Sequence, residues 1–343
     1  MVHVRFAPSP TGSLHLGSAL TAVANRTFAD ERGGTMLLRI DDTDAARTDP
    51  AAEAGVLRDL DWLGVGFDEG PVRQSERADR HREAARALGT EEEDGALRLG
   101  RTTLVRADGR PTYHLASVVD DVDFAITHVI RGSDHRPNEA LHREIARALG
   151  AEPPEYVHHG LILAPEGGKL SKRHGAGSLA DLREQGIPAG AVRRYLEELG
   201  LPRHDVQLDE PRLRRLAIEV IAAASDEELA ETVGVSPRLA PALRGARDFV
   251  EARAFADAIL SPPATALPDE ARPTLERFRE LLATADGELD EAGAKALLRE
   301  LKAVGGDLRT LRLALTGAER GPELWTVLVA LPADEALGRA NPS

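Results

Sequence analysis

The chain contains no cysteine among its 343 residues. That excludes disulfides and any thiolate-held metal, and with them the disulfide-stapled secreted scaffolds. No stretch reaches the ~18 consecutive apolar residues of a membrane-spanning helix. Residues 1–10 carry no signal-peptide core, so we expect a soluble cytoplasmic protein. Lysine is nearly missing as well. Only Lys169, Lys172, Lys295 and Lys302 stand among 43 basic residues. A formal net charge of −14 argues against general affinity for nucleic acid. It leaves room for a local basic face: residues 169–215 hold ten Lys/Arg against seven Asp/Glu, a net of +3.

What is present divides the chain in two. At this length several domains and a substantial core are available. Up to about residue 200, short apolar runs alternate with helical spacing, which implies a parallel sheet with helices on both faces. Residues 2–6 and 35–40 read as buried strands, and the second runs into Asp41 and Asp42 at its carboxyl end, where open α/β sheets bind ligands. Residues 51–63 form an amphipathic helix. Residues 67–71 read as a loop, and residues 74–77 open another helix with Ser75 as its N-cap. Residues 91–95 are an acidic break, expected to be a solvated loop. Residues 125–130 read as a strand, 138–149 as a helix, and 156–163 lead into a basic loop. Beyond Gly200 the strand signals disappear. Residues 211–258 and 273–331 have helical spacing and are separated by a proline-rich linker at 261–268.

The rest of the chain is organised around residues 4–17. A strand gives way to Pro8, Pro10 and Gly12, and a helix then begins beside His15. A helix N-terminus offers unpaired N–H groups and a positive dipole end to an anion. Gly17 leaves room for a ligand against the backbone, and His15 can donate to phosphate oxygens. Far downstream, Lys169-Leu170-Ser171-Lys172-Arg173 concentrates two of the four lysines in five residues. An ammonium on a flexible stem is not interchangeable with a guanidinium at a phosphate.

His15-Leu16-Gly17-Ser18 and Lys169 to Arg173 together resemble the two signatures of the class I aminoacyl-tRNA synthetases, in particular the bacterial glutamyl-tRNA synthetases. The resemblance covers residues 2–77 and 110–200 strongly and returns at residues 311–324. It implies a Rossmann-like α/β catalytic domain with a parallel sheet, then an all-α C-terminal region. Its halves would be residues 1–77 and 111–200, with 78–110 a vestige of the acceptor-end insertion. Residues 201–260 would connect to a region at 269–343 like those that bind the anticodon.

The implied activity is ATP-dependent activation of glutamate and its transfer to tRNA, with Mg²⁺ accompanying ATP and no zinc. The resemblance makes His15, Lys169 and Lys172 the catalytic side chains and adds Gly17, Leu161, Ile162 and Ser171 to the ATP site. It places Arg5, Ala7, Ser9, Asp41, Tyr113 and Arg131 around the amino acid. Two arginines and a tyrosine hydroxyl suit a side-chain carboxylate, and an acid suits the α-ammonium. The expected partners are tRNA, glutamate and ATP, with no membrane, and the chain is expected to act as a monomer.

Three departures qualify the match. Asp41 stands where bacterial relatives usually carry Glu, Ser133 replaces an acidic residue, and only about 35 residues remain where the family inserts a domain, too few for a separate core. Two alternatives follow. One is a paralogue that attaches glutamate to a nucleoside within tRNA, against which residues 211–331 argue. The other is a synthetase-like protein with a non-tRNA acceptor or a regulatory binding role.

Overall fold

The computed structural model describes residues 1–43, 50–168, 170, 177–285 and 288–341. Strand β1 (His3–Phe6) leads through helix α1 (Leu16–Glu31) to β2 (Thr35–Ile40), and α2 (Pro50–Trp62) leads on to β3 (Glu69–Arg73). These three strands pair in parallel with β2 in the middle. After α2 and β3 come α3 (Ala78–Ala87), an antiparallel meander of β4 (Glu91–Glu93), β5 (Ala96–Leu99) and β6 (Thr102–Val105), and α4 (Tyr113–Asp123). Strand β7 (His128–Gly132) then pairs in parallel with β8 (Glu155–His159) across α5 (Glu139–Ala148). A two-residue strand β9 (Ile162–Leu163) follows, then α6 (Leu179–Glu184), α7 (Ala189–Leu199) and β10 (Val206–Gln207), which pairs with β9.

Thr127 joins the two main sheets. Its N–H donates to His3 O at 2.9 Å, and its hydroxyl oxygen accepts from His3 N at 2.8 Å. From β1 the chain builds outward through β2 and β3, whereas β7 and β8 lie beyond Thr127 on the other side. This reversal of strand order is a switch point, and a crevice opens there at the carboxyl ends of the strands. The apolar run of β2 fits a central strand buried on both faces: Met36, Leu37, Leu38 and Ile40 are all at most 1 % exposed.

Several expectations are corrected. Residues 67–71 are not all loop, because β3 begins at Glu69. It is an edge strand, and Gly70 and Pro71 fall where its register with β2 shifts. Proline lacks the N–H for a ladder, and an edge or an irregularity accommodates that. Ser75 caps no helix. Residues Gln74–Arg77 form a 3-10 turn, α3 starts at Ala78, and Ser75 instead donates from N and Oγ to Asp42 at 2.7 and 2.6 Å. The acidic residues 91–95 are exposed as foreseen, yet Glu91–Glu93 is a strand. Asp94 and Gly95 both take positive φ (52° and 78°) and close a two-residue hairpin. The strand read at 125–130 starts later, at His128, because Ala125 has φ 50° in a turn. β10 shows that strand structure does not end at Gly200.

Residues 78–110 have no core of their own. Ala84, Ala85, Leu104 and Val105 join Leu115, Val118, Val119, Ile145 and Ala146 in one buried cluster with α4 and α5. The chain divides into two compact units, one of residues 1–184 with 192–210, the other of 185–191 with 211–343. The second is helical, and a single core runs from Ile221 to Ala340, so the linker at 261–268 does not separate two cores. Its helices carry local signals that a sequence can show. Ser225 and Glu228 form a reciprocal capping box, and Asp248 caps the helix at Phe249–Leu260. Among the described residues no helix is long and apolar enough to cross a membrane.

Candidate active site

A cavity of ≈ 430 Å³ occupies the crevice in the first unit. Its floor begins with the turn after β1. Asp59 of α2, 2 % exposed, accepts from Leu14 N (2.8 Å) and Ser13 Oγ (2.7 Å) and also from Arg183 Nη2 (2.9 Å). Ser13 Oγ in turn accepts from Ala180 N at 3.1 Å. A Pro- and Gly-broken loop is thereby fixed without regular structure, which keeps the α1 N-terminus aimed at the cavity. His15 is the N-cap residue of that helix, and Gly17 and Ser18 of its first turn line the cavity. A Cβ built on Gly17 would meet nothing within 4 Å, so the glycine keeps space open rather than relieving a clash within the protein.

Nδ1 of His15 lies 2.9 Å from the carbonyl oxygen of Gly177. A carbonyl only accepts, so Nδ1 carries a proton and Nε2 is the nitrogen left for a ligand. Leu179 N also donates to Leu14 O at 2.9 Å. The chain on the far side of the lysine segment is thus tied to the first signature, and Leu170 on the near side lines the cavity. Lys169, Ser171 and Lys172 lie outside the described residues.

The opposite end of the cavity is built from buried charge. Arg39, 1 % exposed, donates from Nε to Asp41 (2.7 Å) and from Nη1 to Asp121 (2.7 Å). Burial opposes its charge, but Asp41, Asp121 and Asp120 outweigh burial and raise its pKa. Arg5 donates from Nε to the same Asp121 oxygen at 3.1 Å. Arg131 differs from both. It is 5 % exposed, has no acidic partner among the described residues, and its Nη2 has no hydrogen-bond partner. Burial pulls its pKa below the usual arginine value, with Arg5 adding repulsion. Its neighbours are imidazoles, and Tyr113 stands close by with its hydroxyl 3.2 Å from His135 Nδ1. Burial pushes the Tyr113 phenol up, so the hydroxyl keeps its proton to donate.

Ten of the residues singled out from the sequence therefore share one cavity: Arg5, Ala7, Ser9, His15, Gly17, Asp41, Tyr113, Arg131, Leu161 and Ile162. Along the last two, Leu161 N donates to Asp205 Oδ1 at 2.9 Å, and His159 Nε2 lies 2.9 Å from the Thr21 hydroxyl. Gly160 is required there, since a Cβ would sit 1.9 Å from His204 O. The sequence reading missed Arg39, Asp59, Asp121, His135 and His142. A signal existed for Arg39, an arginine inside an otherwise apolar strand that demands buried acids. None marked the histidines.

The comparisons agree with this geometry. The family model for tRNA synthetases class I (E and Q), catalytic domain, matches residues 1–92 and 90–209. The chain is 37 % identical to a glutamate–tRNA ligase 1 from Rubrobacter xylanophilus, spanning 98 % of this chain and 96 % of the relative. It is 35 % identical to a glutamate–tRNA ligase 1 from Rhodospirillum rubrum, over 98 % of each. Its fold is similar to the crystal structure of a glutamate tRNA ligase from Elizabethkingia meningosepticum in complex with its amino acid, with a TM-score of 0.78 at 23 % identity over 99 % of this chain and 98 % of that one. The Rubrobacter alignment runs over 427 positions against the 343 residues here, so at least 84 of them meet a gap in this chain. By family model and by near full-length relatives alike, this chain belongs to the class I tRNA synthetases of the E and Q group.

Proposed function

We propose that this chain is a compact glutamate–tRNA ligase that works as a cytoplasmic monomer on glutamate, ATP and tRNA. One observation carries the choice of amino acid. Among the described residues, Arg131 presents a guanidinium with no acid in hydrogen-bond or ion-pair contact, in a cavity whose other end is a helix N-terminus. A buried cation left without a counter-charge is costly, and a ligand carboxylate removes that cost. In the first step an oxygen of the glutamate α-carboxylate bonds to the α-phosphorus of ATP while the bond to pyrophosphate breaks. In the second, a ribose hydroxyl at the tRNA 3′ end bonds to the acyl carbon, its proton is lost, and AMP leaves.

Each step needs alignment and neutralisation of phosphate charge more than acid–base help. We assign His15 Nε2, Lys169 and Lys172 to the phosphates and Gly17 to the space for adenosine. Ser171 and the Leu161–Ile162 backbone complete the ATP site, and Mg²⁺ would arrive on the phosphate oxygens. Arg131, Arg5 and Tyr113 would take the side-chain carboxylate. Asp41, Ser9 and the Ala7 backbone would take the amino acid's other end.

The test measures glutamate-dependent exchange of pyrophosphate into ATP, without tRNA and with total tRNA, followed by aminoacylation with labelled glutamate. We expect exchange to rise about tenfold or more with tRNA, a coupling of roughly 1.4 kcal/mol. The label should be held in an alkali-labile ester at the 3′ end. Label confined to an internal nucleoside would make the chain a tRNA-modifying enzyme. No response to any tRNA would leave it with another acceptor.

A further inference from the structure

Three guanidiniums, of Arg5, Arg39 and Arg131, are buried around the amino-acid end of the cavity. Two are neutralised by Asp41 and Asp121. The third is held differently. Arg131 Nη1 lies 3.3 Å from Nδ1 of His142 on α5, and its Nε lies 3.2 Å from Nε2 of His158 on β8. Arginine only donates, so both of these imidazole nitrogens accept, and both tautomers are fixed. The proton of His142 is then on Nε2, which lies 3.1 Å from Nδ1 of His114 on α4. The proton of His158 is on Nδ1, which faces Glu139 Oε2 at 3.5 Å. The guanidinium also stacks over Tyr156, with Cζ 4.8 Å from the ring centroid.

We propose that His142 is a positioning residue for substrate selection. It fixes the Arg131 guanidinium through an uncharged acceptor, so that the full positive charge is left for the side-chain carboxylate of the amino acid. A carboxylate at this position would hold the guanidinium equally well and would also satisfy it. The ligand would then have to displace an internal counter-ion. His142 is 1 % exposed and His114 continues the chain of donors, so the clamp is braced from behind rather than solvated. The inference rests on glutamate being the substrate.

The test compares His142→Gln with His142→Glu, two side chains of one length that differ in charge. Gln can accept from Arg131 and donate to His114, as the imidazole does. Glutamate-dependent pyrophosphate exchange in the presence of tRNA is measured first on the wild-type chain. We expect the Gln variant to keep KM for glutamate within about threefold of wild type, since both hydrogen bonds survive. The Glu variant should raise that KM by about 100-fold and lower the preference for glutamate over glutamine by a similar factor. Its KM for ATP should stay at the wild-type value. If the Glu variant does not fold, His142→Ala takes its place: loss of the clamp should raise KM for glutamate about tenfold, and Gln should restore it.

An unchanged KM for glutamate and unchanged preference in the folded Glu variant would overturn the inference. So would a Gln variant as impaired as the Glu variant, or losses that strike ATP and glutamate alike. A wild-type chain whose exchange does not depend on glutamate would remove the functional reading itself, and this inference with it.

Discussion

His142→Gln should also change how stability responds to acid, and the size of the change follows from the structure. Burial, then the charge of Arg131, pushes the His142 imidazole down to about 3 in the folded protein. In the unfolded chain an imidazole titrates near 6.5. Between those values the unfolded state binds a proton that the folded state refuses. The stability associated with a neutral His142 is therefore complete above about pH 6.5 and is lost as pH falls towards 3, at about 1.4 kcal/mol per pH unit. Going from pH 7.5 to 5.0, the wild type should lose about 2 kcal/mol through this one group. Gln has no proton to bind, so the stability gap between wild type and variant should shift by that amount in favour of the variant. His114, His135 and His158, also lowered by burial, are present in both proteins and cancel in the comparison. Trp62 lies in the first unit and Trp325 in the second, and the chain has no other tryptophan. Urea unfolding followed by fluorescence of Trp62 in a Trp325→Phe background reports the relevant unit. A gap that moves by less than about 0.5 kcal/mol over that pH range would mean that folded His142 takes up a proton nearly as readily as it does in the unfolded chain. An imidazolium cannot accept from Arg131, so the clamp would then open as pH falls through about 6.5 instead of persisting to about pH 5.

Three further outcomes are expected. Asp121→Asn leaves Arg5 and Arg39 sharing a neutral acceptor. Breaking such a buried network costs about 3–5 kcal/mol, so thermal unfolding of the first unit should drop by roughly 6–15 °C; a drop under about 2 °C would show the pair is not coupled to folding. Asp59→Ala frees Leu14 N, Ser13 Oγ and the Arg183 guanidinium. It should slow pyrophosphate exchange about tenfold or more through a loosened α1 N-terminus, and an unchanged KM for ATP would refute that role. Lys172→Ala should lower glutamate activation by about 10²–10³-fold with little change in ATP binding, because charge on the phosphates acts mainly during displacement. Equal losses in binding and turnover would make the lysine segment a simple binding patch.

The central strands were legible because a strand buried on both faces is mostly apolar, as β2 is apart from Arg39, and the site residues follow at the carboxyl ends. The edge was harder. Glu69, Gly70 and Pro71 carry the composition of a loop, and only the one-sided pairing of β3 makes them a strand. Ser75 shows the limit of local rules: it has a capping residue's chemistry, but Asp42, distant in sequence, takes its hydroxyl and its N–H. The histidine clamp was not legible at all. His114, His142 and His158 come from three separate elements, and no spacing in the sequence brings them to Arg131.

The shortening of this chain relative to its family follows the same physics of edges and cores. The family match breaks at residues 90–92, where β4 begins. The break falls in a hairpin whose first strand, Glu91–Glu93, is exposed throughout. Its turn needs positive φ at two positions, and Asp94 and Gly95 supply them with the residue types that adopt it most readily. The buried residues of this stretch lie outside the hairpin tip, in α3 and β6, and they pack on α4 and α5 with the catalytic unit. A domain can be absent from such a point without opening a hole in the remaining core, because the two chain ends meet as neighbouring antiparallel strands at the surface. The helix α4 that carries Tyr113, Asp120 and Asp121 thus keeps its packing, and with it the ion pairs that set Arg5 and Arg39 in the cavity. On our proposed reading of residues 78–110 as the remnant of an acceptor-end insertion, the shortening would change the surface open to a tRNA 3′ end and would leave in place the site where glutamate and ATP would meet.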